Sequence, residues 1–316
     1  MKEAHPYSKN PLLDEWLRPK RIVFIVNPKA GTNIQSRIRE SVDRHLNHQK
    51  FIYGIWHTER VGHAAELTRK AVEEGYEIVV AVGGDGSINE VASALMHTEV
   101  ILGVIPAGSG NGLAMHLGYG RVLDAAMRKI NSAVPRPVDA GQLNWRPYFN
   151  LAGVGYDGRV SNMMKESKRR GFLPYFLKSV EAGFTHHSSA CVVEMDDHVF
   201  EGKTFAVTVA NGPMWGYNFV VAPDARIDDG LFRVVILKDA PRWQYFAAVP
   251  STLNGKLYDA EFVEHFTSRK VKISAEGTHY LHVDGEGFQA TGSLQFEVVP
   301  HAVRVLVPQV KTPASR

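Results

Sequence analysis

The chain has 316 residues, 44% of them hydrophobic and 22% charged, with a formal net charge of +3, a sequence pI near 8.8 and a mean hydropathy of −0.17. That length accommodates two ordinary domains, each with its own core. The charge is too mild to argue for nucleic acid, and no apolar run approaches the ~18 residues of a membrane span.

Residues 1–19 are polar with three prolines and read as a leader; Met1 to Leu13 lacks the apolar core of a secretory signal. Arg21 to Val26 is a β-branched strand ending in the small-residue turn Asn27-Pro28-Lys29-Ala30-Gly31, and a helix from about Ile34 to His48 follows. A second strand, Phe51 to His57, leads through Thr58 to Gly62-His63 and a helix from Ala64 to Glu74. Ile78 to Val82 is a buried strand, Ser87 to Leu95 reads as a helix, and Gly83-Gly84-Asp85-Gly86 lies between them. Val100 to Ile105 then runs into Pro106-Ala107-Gly108-Ser109-Gly110-Asn111-Gly112, with short helices to Asn131. Strands alternating with helices predict a doubly wound parallel sheet, whose ligands bind at the carboxyl ends of the strands.

A strand that passes through glycines into a helix leaves backbone N–H groups free where the helix dipole favours an anion. The missing Cβ atoms let a phosphate reach the main chain. Ser87 can cap that helix or touch an oxygen. Asp85 is the discordant member, because a carboxylate beside phosphates repels them unless a metal or a transferable proton intervenes. His63 opens a helix at the same sheet edge and reads either as a nucleotide contact or as a cap.

Around Pro135 to Asp139 the texture changes. From there to about Val307 short strands alternate with Gly, Asp and Asn turns, which predicts an antiparallel sandwich or barrel interrupted by helical inserts near 160–185 and 241–258. The expected organisation is a nucleotide-binding α/β domain over 20–135 and a β-rich domain over 136–302. The last strand, Val303 to Val307, is open to either, so residues 303–316 can return to the first. The fold class is therefore α/β plus all-β, a doubly wound parallel sheet joined to an antiparallel β-sandwich. The single cysteine, Cys191, sits in an apolar run and reads as a packed thiol in a reducing compartment.

Several motifs lack the context their chemistry needs. Gly153 to Gly158 matches G-x-G-x-x-G, but no parallel strand with a ribose-binding acid follows, so it reads as a turn. No G-x-x-x-x-G-K-[ST] is present, which excludes a P-loop. Asp228-Asp229, with Asp224 nearby, forms an acidic turn before a strand, either an Asx turn or a hard-cation site. In His282-Val-Asp284-Gly-Glu286, strand alternation puts all three polar side chains on one face as a general-base or Mg²⁺ station, whereas Asp-Gly alone reads as a hairpin turn. Lys165 to Leu177 joins a basic cluster to an apolar one. It reads as an ordinary amphipathic helix with one packed face, or as a lip that touches a lipid surface.

Taken in order, Asn27 to Gly31, Gly83 to Glu90, Pro106 to Asn111, Ala222 to Leu231 and Asp284 to Glu286 resemble the diacylglycerol kinase catalytic-domain family, which includes bacterial diacylglycerol kinases, YegS-type lipid kinases and sphingosine kinases. Gly-Gly-Asp-Gly is shared with NAD kinases and phosphofructokinases, so the ordered set carries the specificity. The resemblance implies an NAD-kinase-like nucleotide domain and a β-rich lipid domain, with ATP and the acceptor meeting between them. It implies Asn27, Gly31, Thr58, Gly84, Gly86, Ser87, Asn89, Glu90 and Ser109 at the nucleotide, and their place in the glycine turns and at the sheet edge adds Gly83, Gly108 and His63 to the expected site. Asp85 would orient Mg²⁺-phosphate or help deprotonate the acceptor, and Glu286 with Asp284 would form the proton-acceptor pair. Asp229 with the carbonyls of Arg226 and Leu231 resembles a structural Mg²⁺ site, Asp139 a member of the catalytic acidic network, and Asp157 a reader of the lipid head group.

One departure is Gly112, where bacterial diacylglycerol kinases typically have Asp. The implied function is an ATP- and Mg²⁺-dependent kinase of a diacylglycerol-like or sphingoid lipid, cytoplasmic and peripheral at the membrane surface, with no nucleic-acid partner and a homodimer left open. The rivals are a kinase of a soluble acceptor such as NAD, and a non-catalytic nucleotide or lipid sensor.

Overall fold

The computed structural model describes residues 18–31, 34–167 and 171–309; the 1–19 leader expected from the sequence lies almost wholly outside them. The first half alternates β1 (Lys20–Val26), α1 (Ile34–His45), β2 (Phe51–His57), α2 (His63–Glu73), β3 (Ile78–Gly83), α3 (Asp85–Leu95), β4 (Ile101–Pro106), α4 (Gly112–His116) and α5 (Leu123–Ile130). The strands lie parallel in the order β2-β1-β3-β4. Their runs of Ile and Val are buried on both faces, as a covered parallel sheet requires. Register brings Val26 level with Val82, and Val82 level with Ile105, so the turns that follow leave the sheet side by side.

α3 begins at Asp85 rather than Ser87. Gly84 is its N-cap with extended backbone (φ −91°, ψ −175°), which places Asp85 in the first turn. α1 ends at His45, before the expected His48, because the Asn47 carboxamide accepts the N–H groups of Gln49 and Lys50 and closes a local turn.

The second half holds β5 (Val134–Leu143), β6 (Arg146–Tyr148), β7 (Leu151–Gly155), α6 (Tyr156–Glu166), α7 (Phe172–Thr185), β8 (Ser189–Met195), β9 (Val199–Ala210), β10 (Phe232–Lys238), α8 (Arg242–Leu253), β11 (Val263–Ser268), β12 (Lys270–Ala275), β13 (Thr278–Val283), β14 (Glu286–Thr291) and β15 (Leu294–Val307). These strands are antiparallel along β14-β13-β7-β9-β8-β12-β15, with β10 on β9 and β11 on β10. Their inward faces bury clusters that include Tyr148, Phe232 and Phe296 in one, and Phe205, Val235 and Phe262 in another.

The last strand serves both halves. Leu294 to Glu297 pair with β12, whereas Arg304 and Val305 pair in parallel with Ile101 and Leu102 of β4. β5 runs beside it throughout, with a register shift between Val299 and Val303, so the change of texture at 135 falls inside a strand. Leu306 and Val305 accordingly join the core of the parallel sheet.

Candidate active site

The three glycine turns meet. The Asn27 carboxamide donates to Ser87 Oγ at 3.0 Å, joining the first turn to α3. Gly84 and Gly108 touch backbone to backbone, since a Cβ on Gly108 would lie 2.4 Å from Gly84 Cα. A Cβ on Gly31 would lie 3.0 Å from the Ala107 carbonyl oxygen. Two adjoining hollows open here. One is lined by Asn27, Lys29, Thr58, Arg60, Ser87 and Glu90, the other by Gly31, Arg37, Gly108, Ser109, Asn111 and Arg121. Lys29, Arg37, Arg60 and Arg121 are cations that motif reasoning passed over. Lys29 lay within the quoted turn and could have been singled out; the others carry no sequence signal of their own.

Some expected nucleotide residues have structural work here. The Glu90 carboxylate accepts the N–H groups of Gly62 (3.0 Å) and Ala64 (3.2 Å), capping α2 from α3. His63 Nδ1 accepts the Glu59 N–H at 3.1 Å, closing the turn before α2. Ser87 is not a cap, as its oxygen accepts from Asn27.

Asp85 sits where the turns converge. Its carboxylate accepts the Asn111 N–H at 2.8 Å. Burial and then the nearby Asp284 push its pKa up to about 6, against the pull of main-chain N–H groups of Asn111 and Gly112. The departure at 112 has a steric reason: a Cβ there would lie 2.6 Å from Asn150 Nδ2.

Asp284 arrives from the other half of the molecule. β13 ends at Val283 and β14 starts at Glu286, so Asp284-Gly285 is a two-residue hairpin loop with φ of 47° and 82°, the turn that Asp-Gly favours because both central residues are left-handed. The alternation that put His282, Asp284 and Glu286 on one face is therefore wrong, because the chain reverses between them. Asp284 turns inward and accepts four hydrogen bonds: Asn89 Nδ2 (2.8 Å) and the N–H groups of Phe149 (2.9 Å), Asn150 (2.9 Å) and Leu151 (3.1 Å). Burial raises its pKa against those donors. Asn89, from α3, thus reaches across to the hairpin. Glu286 is exposed at the start of β14.

His282 is buried beneath this hairpin. Its Nδ1 accepts the Gly285 N–H at 3.3 Å, which leaves the proton on Nε2 to be donated to Asp157 Oδ2 at 3.2 Å. Asp157 also accepts from Thr208 Oγ1 (3.0 Å) and the Gly158 N–H (2.9 Å) and is buried. Its carboxylate supports the Asp284-Gly285 loop from below.

The other proposed metal ligands lie elsewhere. Asp139 is buried and accepts the N–H groups of Gly230 (2.7 Å) and His301 (2.8 Å), clamping the acidic turn to the irregularity in β15. Asp229 Oδ1 accepts the Leu231 N–H at 3.1 Å and Oδ2 accepts Arg233 Nη2 at 2.8 Å. Arg233 also donates to the Asp224 carboxylate at 2.9 Å. A guanidinium thus supplies there the charge that a structural cation would supply, and the turn as folded does not fit one. Among the described residues no group of three or more His, Cys, Asp or Glu gathers to hold a metal. Asp85 and Asp284 do fit a cation carried in on a nucleotide, because desolvation raises the pKa of both, the charge of Asp284 adds to it at Asp85, and among the described residues no basic side chain is hydrogen-bonded to either carboxylate.

α7 differs from an ordinary amphipathic helix. Phe172, Leu173, Phe176 and Leu177 are exposed, at 50, 63, 44 and 57%. Its first turns thus carry an exposed apolar stripe beside the covered side that holds Pro174 and Tyr175; the adjoining basic residues 168–170 lie outside those described.

Comparison with known proteins accounts for both halves. Residues 21–143 match the family description "Diacylglycerol kinase catalytic domain", and residues 150–307 match "YegS C-terminal NAD kinase beta sandwich-like domain". The diacylglycerol kinase of Bacillus subtilis strain 168 is 30% identical over 304 residues, covering 92% of this chain and 98% of the relative. A Pseudomonas aeruginosa PAO1 protein described as a probable lipid kinase YegS-like is 28% identical, covering 91% of this chain and 94% of its own. A Bacillus anthracis strain Sterne crystal structure described as a diacylglycerol kinase shares the fold, with a TM-score of 0.68 at 18% identity over 93% of this chain and 98% of the other. The chain belongs to the diacylglycerol kinase and YegS-like lipid kinase family, and is a lipid kinase.

Proposed function

We propose that this kinase transfers the γ-phosphoryl group of MgATP to a hydroxyl of a diacylglycerol-like or sphingoid lipid. The observation that carries the reading is the half-buried couple of Asp85, from the phosphate turn, and Asp284, from the opposite half: Asp284 raises the pKa of Asp85, and Asn89, one turn along the same helix as Asp85, donates to Asp284. Main-chain N–H groups of the glycine turns and the cations Lys29, Arg37, Arg60 and Arg121 would receive the phosphates. The nucleotide's Mg²⁺ would supply the positive charge that the two acids lack. In the transfer, the acceptor oxygen forms the new P–O bond, the bond to ADP breaks, and the acceptor's proton passes to a carboxylate. Asp85, with a pKa of about 6, is ionised at neutral pH and suited to that task; Glu286, exposed beside the loop, is the outlet to solvent.

The exposed apolar turns of α7 support access from a lipid surface. Among the described residues no helix is long and apolar enough to cross a membrane. Asp157 acts in this reading as a positioning group for the hairpin rather than as a direct head-group contact. Radiolabelled ATP offered with mixed lipid vesicles tests the proposal, and label is expected in the organic phase. Label transferred to NAD would favour the soluble-acceptor reading, and bound ATP without any labelled product the sensor.

A further inference from the structure

The loop 211–221, between β9 and β10, carries two consecutive non-glycine residues in the left-handed region, Tyr217 (φ 61°) and Asn218 (φ 66°). For a residue as bulky as tyrosine this is a true outlier, held only because the surroundings demand it. What they demand is visible. The preceding Gly216 lies against the third glycine turn, where a Cβ would be 2.7 Å from Gly110 Cα. The Ser109 side chain of that turn acts on the Tyr217 hydroxyl, lowering its pKa against the rise that burial causes. Its ring meets Phe172 edge-on at 5.2 Å and Tyr175 at 5.5 Å, both on α7, and the Arg121 guanidinium lies 5.3 Å from its centroid. One side chain therefore touches both the phosphate turn and the helix with the exposed apolar surface.

Resting on the lipid-kinase reading above, we propose that Tyr217 is a specificity-determining wall: it closes the space between Ser109 and α7 so that a hydroxyl carried on a lipid, and not water, reaches the phosphoryl group. Water in the acceptor's place would form the same P–O bond, break the same bond to ADP, lose its proton to the same carboxylate and yield inorganic phosphate. The wall is strained backbone spent on partition between two acceptors rather than on stability. Glycine at 217 removes the ring and accepts φ 61° without penalty, while phenylalanine removes only the hydroxyl on the Ser109 side.

The test measures labelled lipid and inorganic phosphate together, in the presence of vesicles, for wild type, Tyr217→Phe, Tyr217→Asn and Tyr217→Gly, alongside nucleotide affinity and thermal midpoint. The ratio of lipid product to inorganic phosphate is expected to fall about tenfold or more in Tyr217→Gly, at an unchanged or higher midpoint, and by a smaller factor in Tyr217→Phe. Tyr217→Asn, which tolerates the left-handed region, is expected to follow Tyr217→Gly and decides the matter if the glycine variant folds poorly. An unchanged ratio in both small variants overturns the wall while leaving the kinase intact. A wild type that labels no lipid overturns the kinase reading, and the wall with it.

Discussion

Two acidic clusters in this molecule are built on opposite plans. Around Arg233, the carboxylates of Asp224 and Asp229 share one guanidinium that is only 9% exposed. Burial pushes Asp224 up, but hydrogen bonds from Tyr258 and Arg233 outweigh it and hold Asp224 below the usual carboxylate range. Between the halves, Asp85 and Asp284 have amide donors but, among the described residues, no basic side chain hydrogen-bonded to them, and both are pushed up. An acid paired within the fold is satisfied as it stands. An acid buried beside another acid holds unfavourable charge until a ligand brings a cation or a proton is exchanged, and that is where chemistry is expected.

Asp85→Asn should break the comparison most visibly. It keeps an acceptor for the Asn111 N–H and removes the charge. Lipid phosphorylation is expected to fall by about 10²–10⁴, the range for losing an acid–base group, while the fold gains about 1–2 kcal/mol by chemical denaturation because the desolvated charge, and with it the repulsion from Asp284, is gone. A variant that retains turnover and is no more stable would place Asp85 among the structural acids. Arg233→Leu should do the reverse. Stripping a mostly buried guanidinium from one half-exposed and one less exposed acid is expected to cost about 2 kcal/mol, with activity per folded molecule unchanged. The wild-type thermal midpoint should not respond to a chelator. The Arg233→Leu midpoint should rise with Mg²⁺, because Asp229 Oδ2 then loses its guanidinium partner and can take, with the carbonyls of Arg226 and Leu231, the cation that the family resemblance implies.

The two clusters should also respond oppositely to acid. The folded pKa of Asp85, about 6, lies above its ordinary 3.8, so its destabilising contribution is complete above pH 6 and fades as pH falls through that value. The stability gap between wild type and Asp85→Asn should narrow by about 1 kcal/mol on going from pH 7 to pH 5. Asp224 is depressed, so its stabilising contribution is present above the ordinary carboxylate range and is lost as pH falls below it. Urea titrations of both variants at several pH values would show one gap closing before the other.

The sequence carried the parallel sheet and its three turns well, because a β-branched run followed by glycines has few other solutions and backbone-to-backbone approaches such as Gly84–Gly108 admit no Cβ. It carried the presence of an acid at 284 but not its direction: the same letters satisfy a period of two and a two-residue loop, and the left-handed pair Asp284-Gly285 decided for the loop. The bond from Asn89 to Asp284 spans 195 positions, and the one from His282 to Asp157 spans 125; no local pattern announces either. The apolar stripe of α7 is ambiguous for another reason. Residues at i and i+4 such as Phe172 and Phe176 look alike whether a core or a lipid surface covers them, and only the exposure of the folded helix separates the two.

The smallest expected effect concerns Asp157, which resembles neither cluster fully. It is more deeply buried than Asp284, yet three donors hold it, from Gly158, Thr208 and His282, and among the described residues no second acid pairs with it. Thr208→Val keeps the shape and removes one donor. If Asp157 only braces the hairpin, the loss is about 1 kcal/mol or less, kcat for the lipid drops by less than about threefold as the Asp284 loop loosens, and the ranking of diacylglycerol-like against sphingoid acceptors stays as it was. If the carboxylate reads a head group, removing one of the two donors on its Oδ2 changes that ranking while leaving Tm nearly untouched. Competition between the two lipids in a single vesicle assay distinguishes the cases, since a shared loss of rate cancels in the product ratio and a change of recognition does not.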